Sequence, residues 1–204
     1  MREYNPLSVD ELGRNTVYIP VTMGEAVGQT GIPVADYLEG EKIAEVRHEY
    51  VNGEVFAMVG TTKAHNLIVL NLALLLRSEL ARKLCRVYVG NVKVHIETES
   101  EERFYYPDLH VECQPFTDNS YYSERPKLII EVLSHSTERD DRSDKFYAYR
   151  KLASLEEYVL VTQDDQRVEV YRRSNGWDAT VLWPRSMVRL ESVGADLAVA
   201  AIYA

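Results

Sequence analysis

Two carboxylates and a lysine carry the chemistry that this sequence can do. Alternation over Tyr106–Cys113 places Leu109, Val111 and Cys113 on one face of a strand and Asp108, His110 and Glu112 on the other. Pro107 biases the backbone ahead of Asp108 to an extended form. Alone, this reads as a half-buried strand with a polar outer face. The stretch Lys127–Leu133 is different. Leu128, Ile130 and Val132 take one face, while Ile129 and Leu133 bracket Glu131 on the other. A strand apolar on both faces belongs inside a covered sheet. A carboxylate there is costly unless an arginine, a proton or a metal meets it. Glu131 lies near the strand end, ahead of the polar turn Ser134–Thr137, which suits a site at the carboxyl edge of a sheet.

Two carboxylates on neighbouring strands can hold Mg²⁺ or Mn²⁺, which take hard oxygen ligands and keep several waters. Such an ion polarises a phosphoryl oxygen and acidifies its water. A cation nearby would offset charge that develops in the transition state. Lys145 is the candidate, on a helix after Glu131, with Asp141 and Tyr149 one turn to either side. Against this stands the ordinary reading of Lys145 as a solvated helix lysine.

The elements that must position these residues are legible in outline. Residues 1–32 have no sustained period and are expected to form a loosely structured N-terminal extension. Val34–Ala44 suits a short helix interrupted near Gly40. Glu45–Val51 and Glu54–Val59 flank Asn52-Gly53, a hairpin signal because both turn residues tolerate positive φ. Thr61 or Thr62 caps a long helix to about Leu84, whose Leu67, Ile68, Leu70, Leu72, Leu74 and Leu75 are expected to form a broad buried face. Strands are expected at 86–89, 92–97, 104–113 and 127–133, then a helix over 139–152. Further strands fall at 157–161, 167–172 and 179–182, with a short segment after Asp196. The order makes an α/β (α+β) protein with helices packed on a mixed sheet.

The chain has 204 residues, 46% hydrophobic and 27% charged, which suits one folded domain with a full core. No apolar run reaches the roughly 18 residues of a membrane span, and Met1–Glu11 has no signal-peptide core, so a cytoplasmic location is expected. Cys85 and Cys113 lie far apart in no metal-ligand spacing and read as reduced core thiols. The net charge of −9 argues against passive DNA binding through phosphate contacts. It leaves room for an enzyme whose bound metal supplies the positive charge.

Glu49 through Met58, His65-Asn66, Tyr106-Pro107-Asp108, Ile130 through Ser134, and Asp141 through Lys145 to Tyr149 together resemble the Uma-type family of putative restriction endonucleases, within the PD-(D/E)XK nuclease superfamily. The resemblance runs in order over about residues 33–204. It implies a restriction-endonuclease-like core, a mixed central sheet flanked by helices with an N-terminal hairpin, and hydrolysis of phosphodiester bonds with Mg²⁺ or Mn²⁺. It carries Asp108 and Glu131 over as metal-binding acids, and adds Glu49 as a further acid and His65 at the start of the long helix. Read without the family, Glu49 is a charged strand residue and His65 a capping or packing histidine. The chain departs from the superfamily pattern in having Leu133 where a lysine stands two residues after the second acid. Lys145 is the natural replacement, since only the ammonium position matters. The resemblance also implies a departure at Asn91, where many members of the family carry Asp.

Three readings follow. The first is a metal-dependent endodeoxyribonuclease with DNA as substrate; a homodimer is expected only by analogy with nucleases that cut both strands. The second is a nuclease-fold protein, catalytically weak or inactive, that acts as a binding or assembly partner. The third is a plain structural domain in which Glu131 pairs with Arg139 or Arg142.

Overall fold

A computed structural model describes residues 31–116, 119–134 and 138–204. The chain divides into two compact units, residues 1–59 and 60–204.

In the first unit, helix α1 (Val34–Ile43) precedes a hairpin of β1 (His48–Val51) and β2 (Glu54–Ala57). The expected turn is present: Asn52 and Gly53 both have positive φ, 50° and 94°, and Val51 pairs with Glu54. Helix α1 runs without a break through Gly40. Its Tyr37 packs against Tyr50 and donates to His48 O at 2.7 Å. The buried Glu41 meets His48 Nδ1 at 2.8 Å. The extension expected over 1–32 lies outside the described residues except for its last two positions.

The second unit opens with α2 (Lys63–Glu79). Strands β3 (Cys85–Val89), β4 (Lys93–Glu97), β5 (Glu102–Tyr105), β6 (Leu109–Cys113), β7 (Tyr122–Ser123) and β8 (Leu128–Leu133) follow. Two short helices, α3 (Glu138–Arg142) and α4 (Asp144–Tyr149), lead to β9 (Glu157–Thr162), β10 (Val168–Arg172) and β11 (Ala179–Leu182). A terminal hairpin of β12 (Met187–Leu190) and β13 (Ala195–Ala198) ends in α5 (Val199–Ile202). The main sheet has the order β11-β10-β9-β8-β6-β3, parallel only between β8 and β9. In this unit β4 also pairs antiparallel with β5 and parallel with β7.

The core lies on one face of the main sheet. Ile68, Val69, Leu72 and Leu76 of α2 pack there with Leu109, Ile130, Val132, Val159 and Val161, and with the terminal hairpin and α5. The broad buried face expected on α2 holds at Ile68 and Leu72, with Leu75 packed against the core, and is corrected elsewhere. Leu67, Leu70 and Leu74 are half exposed or more. The helical period alone does not set the width of the buried stripe, and tertiary packing selects it. β8 is buried along its whole length, as its two apolar faces require.

Three further expectations are corrected. The strand expected over 104–113 is two strands, because Tyr106-Pro107-Asp108 breaks it and Pro107 has no N–H to pair. The helix expected over 139–152 is split at Ser143, whose φ and ψ are −121° and −88°. Cys85 and Cys113 are a disulfide, not two thiols. The antiparallel register of β3 and β6 sets them directly opposite one another, 28 residues apart in sequence. No helix among the described residues is long and apolar enough to cross a membrane.

Candidate active site

The site forms where the start of β6 meets the end of β8. The two strands run antiparallel with Leu109 opposite Ile130. One step back along β6 and one step forward along β8 brings Asp108 beside Glu131. The Asp108 N–H donates to Glu131 Oε2 at 2.9 Å, and Asp108 Oδ2 accepts the Val132 N–H at 2.7 Å. Tyr149 on α4 donates its hydroxyl to Glu131 Oε1 at 3.2 Å. Lys145, one turn earlier, brings Nζ to 3.9 Å from the same oxygen and 3.6 Å from Asp141 Oδ1. These are ion-pair distances rather than hydrogen bonds. The lysine also lies over the Tyr105 ring.

The placement of α3 and α4 follows from a partly buried clamp. Arg142 Nη1 and Nη2 donate to the two carboxylate oxygens of Glu169 on β10, each at 2.8 Å, while Nε bonds Glu138. Tyr158 on β9 donates to Asp141 O at 2.8 Å, under the break between the helices. Arg142 is therefore engaged by Glu138 and Glu169, and the cation beside Glu131 is Lys145. The reading in which Arg142 neutralises Glu131 does not match these contacts.

His65 stands in the first turn of α2, capped by Thr62, whose Oγ1 accepts the His65 N–H at 3.1 Å. The ring places Nε2 3.1 Å from Asp108 Oδ2. Burial works most strongly against a charged ring, but the hydrogen bond and charge of Asp108 outweigh it, so the His65 pKa is raised. Of the residues expected from sequence, Asp108, Glu131, Lys145 and His65 come together, joined by Asp141 and Tyr149. Glu49 lies on β1 in the first unit. Asn91 follows Gly90, whose N–H bonds Asp108 O at 3.0 Å. Leu133, at the superfamily's lysine position, is buried in β8. Gln163 was not legible as a site residue. It joins the ends of β8 and β9 only through long-range hydrogen bonds, to Leu133 O and Thr62.

The electrostatics favour a cation. Glu131 is 3% exposed, and its pKa is well above the usual carboxylate range. Burial is the main cause, the charges of Asp141 and Asp108 add to it, and Lys145 opposes it. The buried Tyr158 hydroxyl is likewise pushed far up, first by burial and then by Glu131, Asp141 and Asp108. Three acids thus act on one another beside a single lysine, two of them, Glu131 and Asp141, buried. Among the described residues no three His, Cys, Asp or Glu side chains form a ready metal cage. A pair of carboxylates with open water positions is nevertheless what Mg²⁺ ordinarily uses. The residues present fit such an ion in their chemistry, since Asp108 and Glu131 offer a carboxylate pair of that kind.

Comparison with known proteins places the chain in a family. An uncharacterized protein of Synechocystis sp. (strain ATCC 27184 / PCC 6803 / Kazusa) is 33% identical over 171 residues, which cover 82% of this chain and 89% of its own length. A second uncharacterized protein of that strain is 37% identical over 145 residues, covering 70% and 81%. The fold is similar to that of a crystal structure described as a putative nuclease belonging to DUF820 from Anabaena variabilis ATCC 29413. The TM-score is 0.66 and the identity 18%, over 78% of this chain and 91% of that one. The family described as "Uma2: Putative restriction endonuclease" matches residues 34–199, and the chain belongs to it.

Proposed function

We propose that this chain is a metal-dependent endodeoxyribonuclease that hydrolyses phosphodiester bonds by direct attack of water. The observation that supports this most is the Asp108–Glu131 pair with Lys145 beside it, at 3.9 Å from Glu131. Asp108 and Glu131 would hold Mg²⁺ or Mn²⁺. When bound there, the ion supplies Lewis-acid polarisation of a phosphoryl oxygen and a more acidic water.

The chain's own residues do the rest. Tyr149 and the Asp108 N–H fix the two oxygens of Glu131, so the carboxylate presents one orientation. His65 and the Val132 N–H both hold one oxygen of Asp108, Oδ2. The Lys145 ammonium orients the attacking water and neutralises charge on the phosphoryl oxygens as the new P–O bond forms. The attacking water gives up a proton to bulk solvent, the bond to the leaving sugar oxygen breaks, and that oxygen takes up a proton from solvent.

Cleavage of supercoiled plasmid DNA in Mg²⁺, with EDTA as control, tests the proposal. Wild-type protein should nick or linearise the plasmid only with metal, and Asp108→Ala and Glu131→Ala should lose the activity while staying folded. Full activity in Glu131→Ala contradicts the mechanism. Metal binding without cleavage of any nucleic acid favours the alternative of a nuclease-fold binding or assembly partner.

A further inference from the structure

The hydrogen bonds around Asp108 continue into a closed circuit that passes through Gln163. Gln163 directly follows β9, and its Nε2 donates to Leu133 O at the end of β8, at 2.7 Å. Its Oε1 accepts from Thr62 Oγ1 at 2.6 Å. That hydroxyl in turn accepts the N–H of His65 at 3.1 Å. The His65 ring meets Asp108 Oδ2 at 3.1 Å, and the same oxygen accepts the N–H of Val132 at 2.7 Å. The circuit therefore starts and ends on adjacent residues of β8.

The chemistry asks for a glutamine. Leu133 O can only accept, so the amide NH₂ must face it, and the amide oxygen is left to receive the Thr62 hydroxyl. Neither Glu nor Leu supplies both roles. The Thr62–Gln163 bond is exposed, so water can replace it at small cost to global stability. Orientation is another matter. With its hydrogen directed at Gln163, Thr62 Oγ1 offers a fixed lone pair to the first turn of α2, which carries His65.

We propose that Gln163 is a positioning residue, acting through Thr62 and His65 to fix the Asp108 carboxylate beside Glu131. Its importance for catalysis rests on the metal-site reading above, but the circuit itself can be tested without metal.

The variants are Gln163→Leu and Thr62→Val, with Thr62→Ser as the conservative rescue. Long-range ¹H–¹⁵N correlation of the His65 ring, without metal and at a pH where the ring is neutral, reads the circuit. Wild type and Thr62→Ser should show one tautomer with the proton on Nε2, directed at Asp108. Gln163→Leu and Thr62→Val should show an averaged ring. Unchanged His65 signals in Gln163→Leu overturn the proposal whether or not the protein binds metal. Calorimetric titration with Mn²⁺ gives the second readout. Affinity should fall about tenfold in Gln163→Leu, the scale seen when a ligand's supporting partner is removed. The double variant with His65→Ala should bind no more weakly than His65→Ala alone, since both act along one path. Additive losses, or wild-type affinity in Gln163→Leu, overturn the proposal. Absence of Mn²⁺ binding by wild type counts against the metal reading instead, and the ring spectrum then decides the role of Gln163.

Discussion

Asp108 and Glu131 hold one another through their strands' backbones. The Asp108 N–H donates to Glu131 Oε2 at 2.9 Å, while the N–H after Glu131, that of Val132, donates to Asp108 Oδ2 at 2.7 Å. Neither side chain can turn away without leaving a backbone N–H, that of Asp108 or of Val132, without its partner. The acid pair is thus preformed, which is what a ligand site needs from its scaffold.

Glu131→Gln should separate function from stability. The Glu131 pKa is raised, mainly by burial and then by its acidic neighbours. An acid that is harder to ionise in the folded state loses stability as the pH rises above its unfolded value of about 4.5. Replacing it by the neutral amide removes that loss. The metal-free variant should melt at or above wild type at neutral pH, by a few °C at about 2–4 °C per kcal/mol. It should also fail to bind Mn²⁺. A clear fall in Tm contradicts this account of the site.

Lys145→Ala should reduce turnover about 10²–10³-fold, the scale of one lost charge-stabilising donor, while changing Mn²⁺ affinity much less. Lys145→Arg should rescue poorly, because a planar guanidinium does not fit a place shaped for a compact ammonium between Glu131 and Asp141. Single-turnover cleavage rates alongside metal titrations check both expectations.

The Arg142–Glu169 clamp should stabilise the fold only above the carboxylate range. The pKa of Glu169 is lowered, first by its hydrogen bond with Arg142. Its contribution is therefore full above about pH 4.5 and fades as the pH falls through the lower folded value. Glu169→Gln should cost about 1–3 kcal/mol at neutral pH. Thermal melts should show that gap narrowing in acid.

His110 should steepen acid unfolding. It is fully buried, with Nε2 at 2.8 Å from Ser123 Oγ, and burial pushes its pKa down to about 3. Between the ordinary 6.5 and about 3, the unfolded chain takes up a proton that the folded chain refuses, so stability falls with pH. The slope from this group is about 1.4 kcal/mol per pH unit. Urea unfolding of His110→Phe should give a less stable protein at neutral pH with a flatter dependence between about pH 6 and 4.

Much of the positioning was legible in the sequence, and the reasons are local. Asn52-Gly53 announced its turn, Thr62 its cap, and the doubly apolar strand around Glu131 announced its burial. The family pattern joined Glu131 to Asp108 and moved the lysine to position 145, where the structure puts an ammonium beside the acids. What was not legible depends on tertiary register. The face of α2 was read too broadly: Ile68 and Leu72 are buried as expected, but Leu67, Leu70 and Leu74 face outward, because the helical period alone does not set the width of the buried stripe. The Cys85–Cys113 pairing is visible only once β3 and β6 are aligned. The link from Gln163 to Thr62 spans 101 residues, so no sequence spacing could flag it.

A crystal structure of wild-type protein soaked in Mn²⁺, with anomalous diffraction measured, tests the central claim most directly. The account predicts one strong anomalous peak bound by carboxylate oxygens of both Asp108 and Glu131, and absent from Asp108→Ala. A soaked crystal with no peak at that pair, or with Mn²⁺ bound only elsewhere, would contradict it.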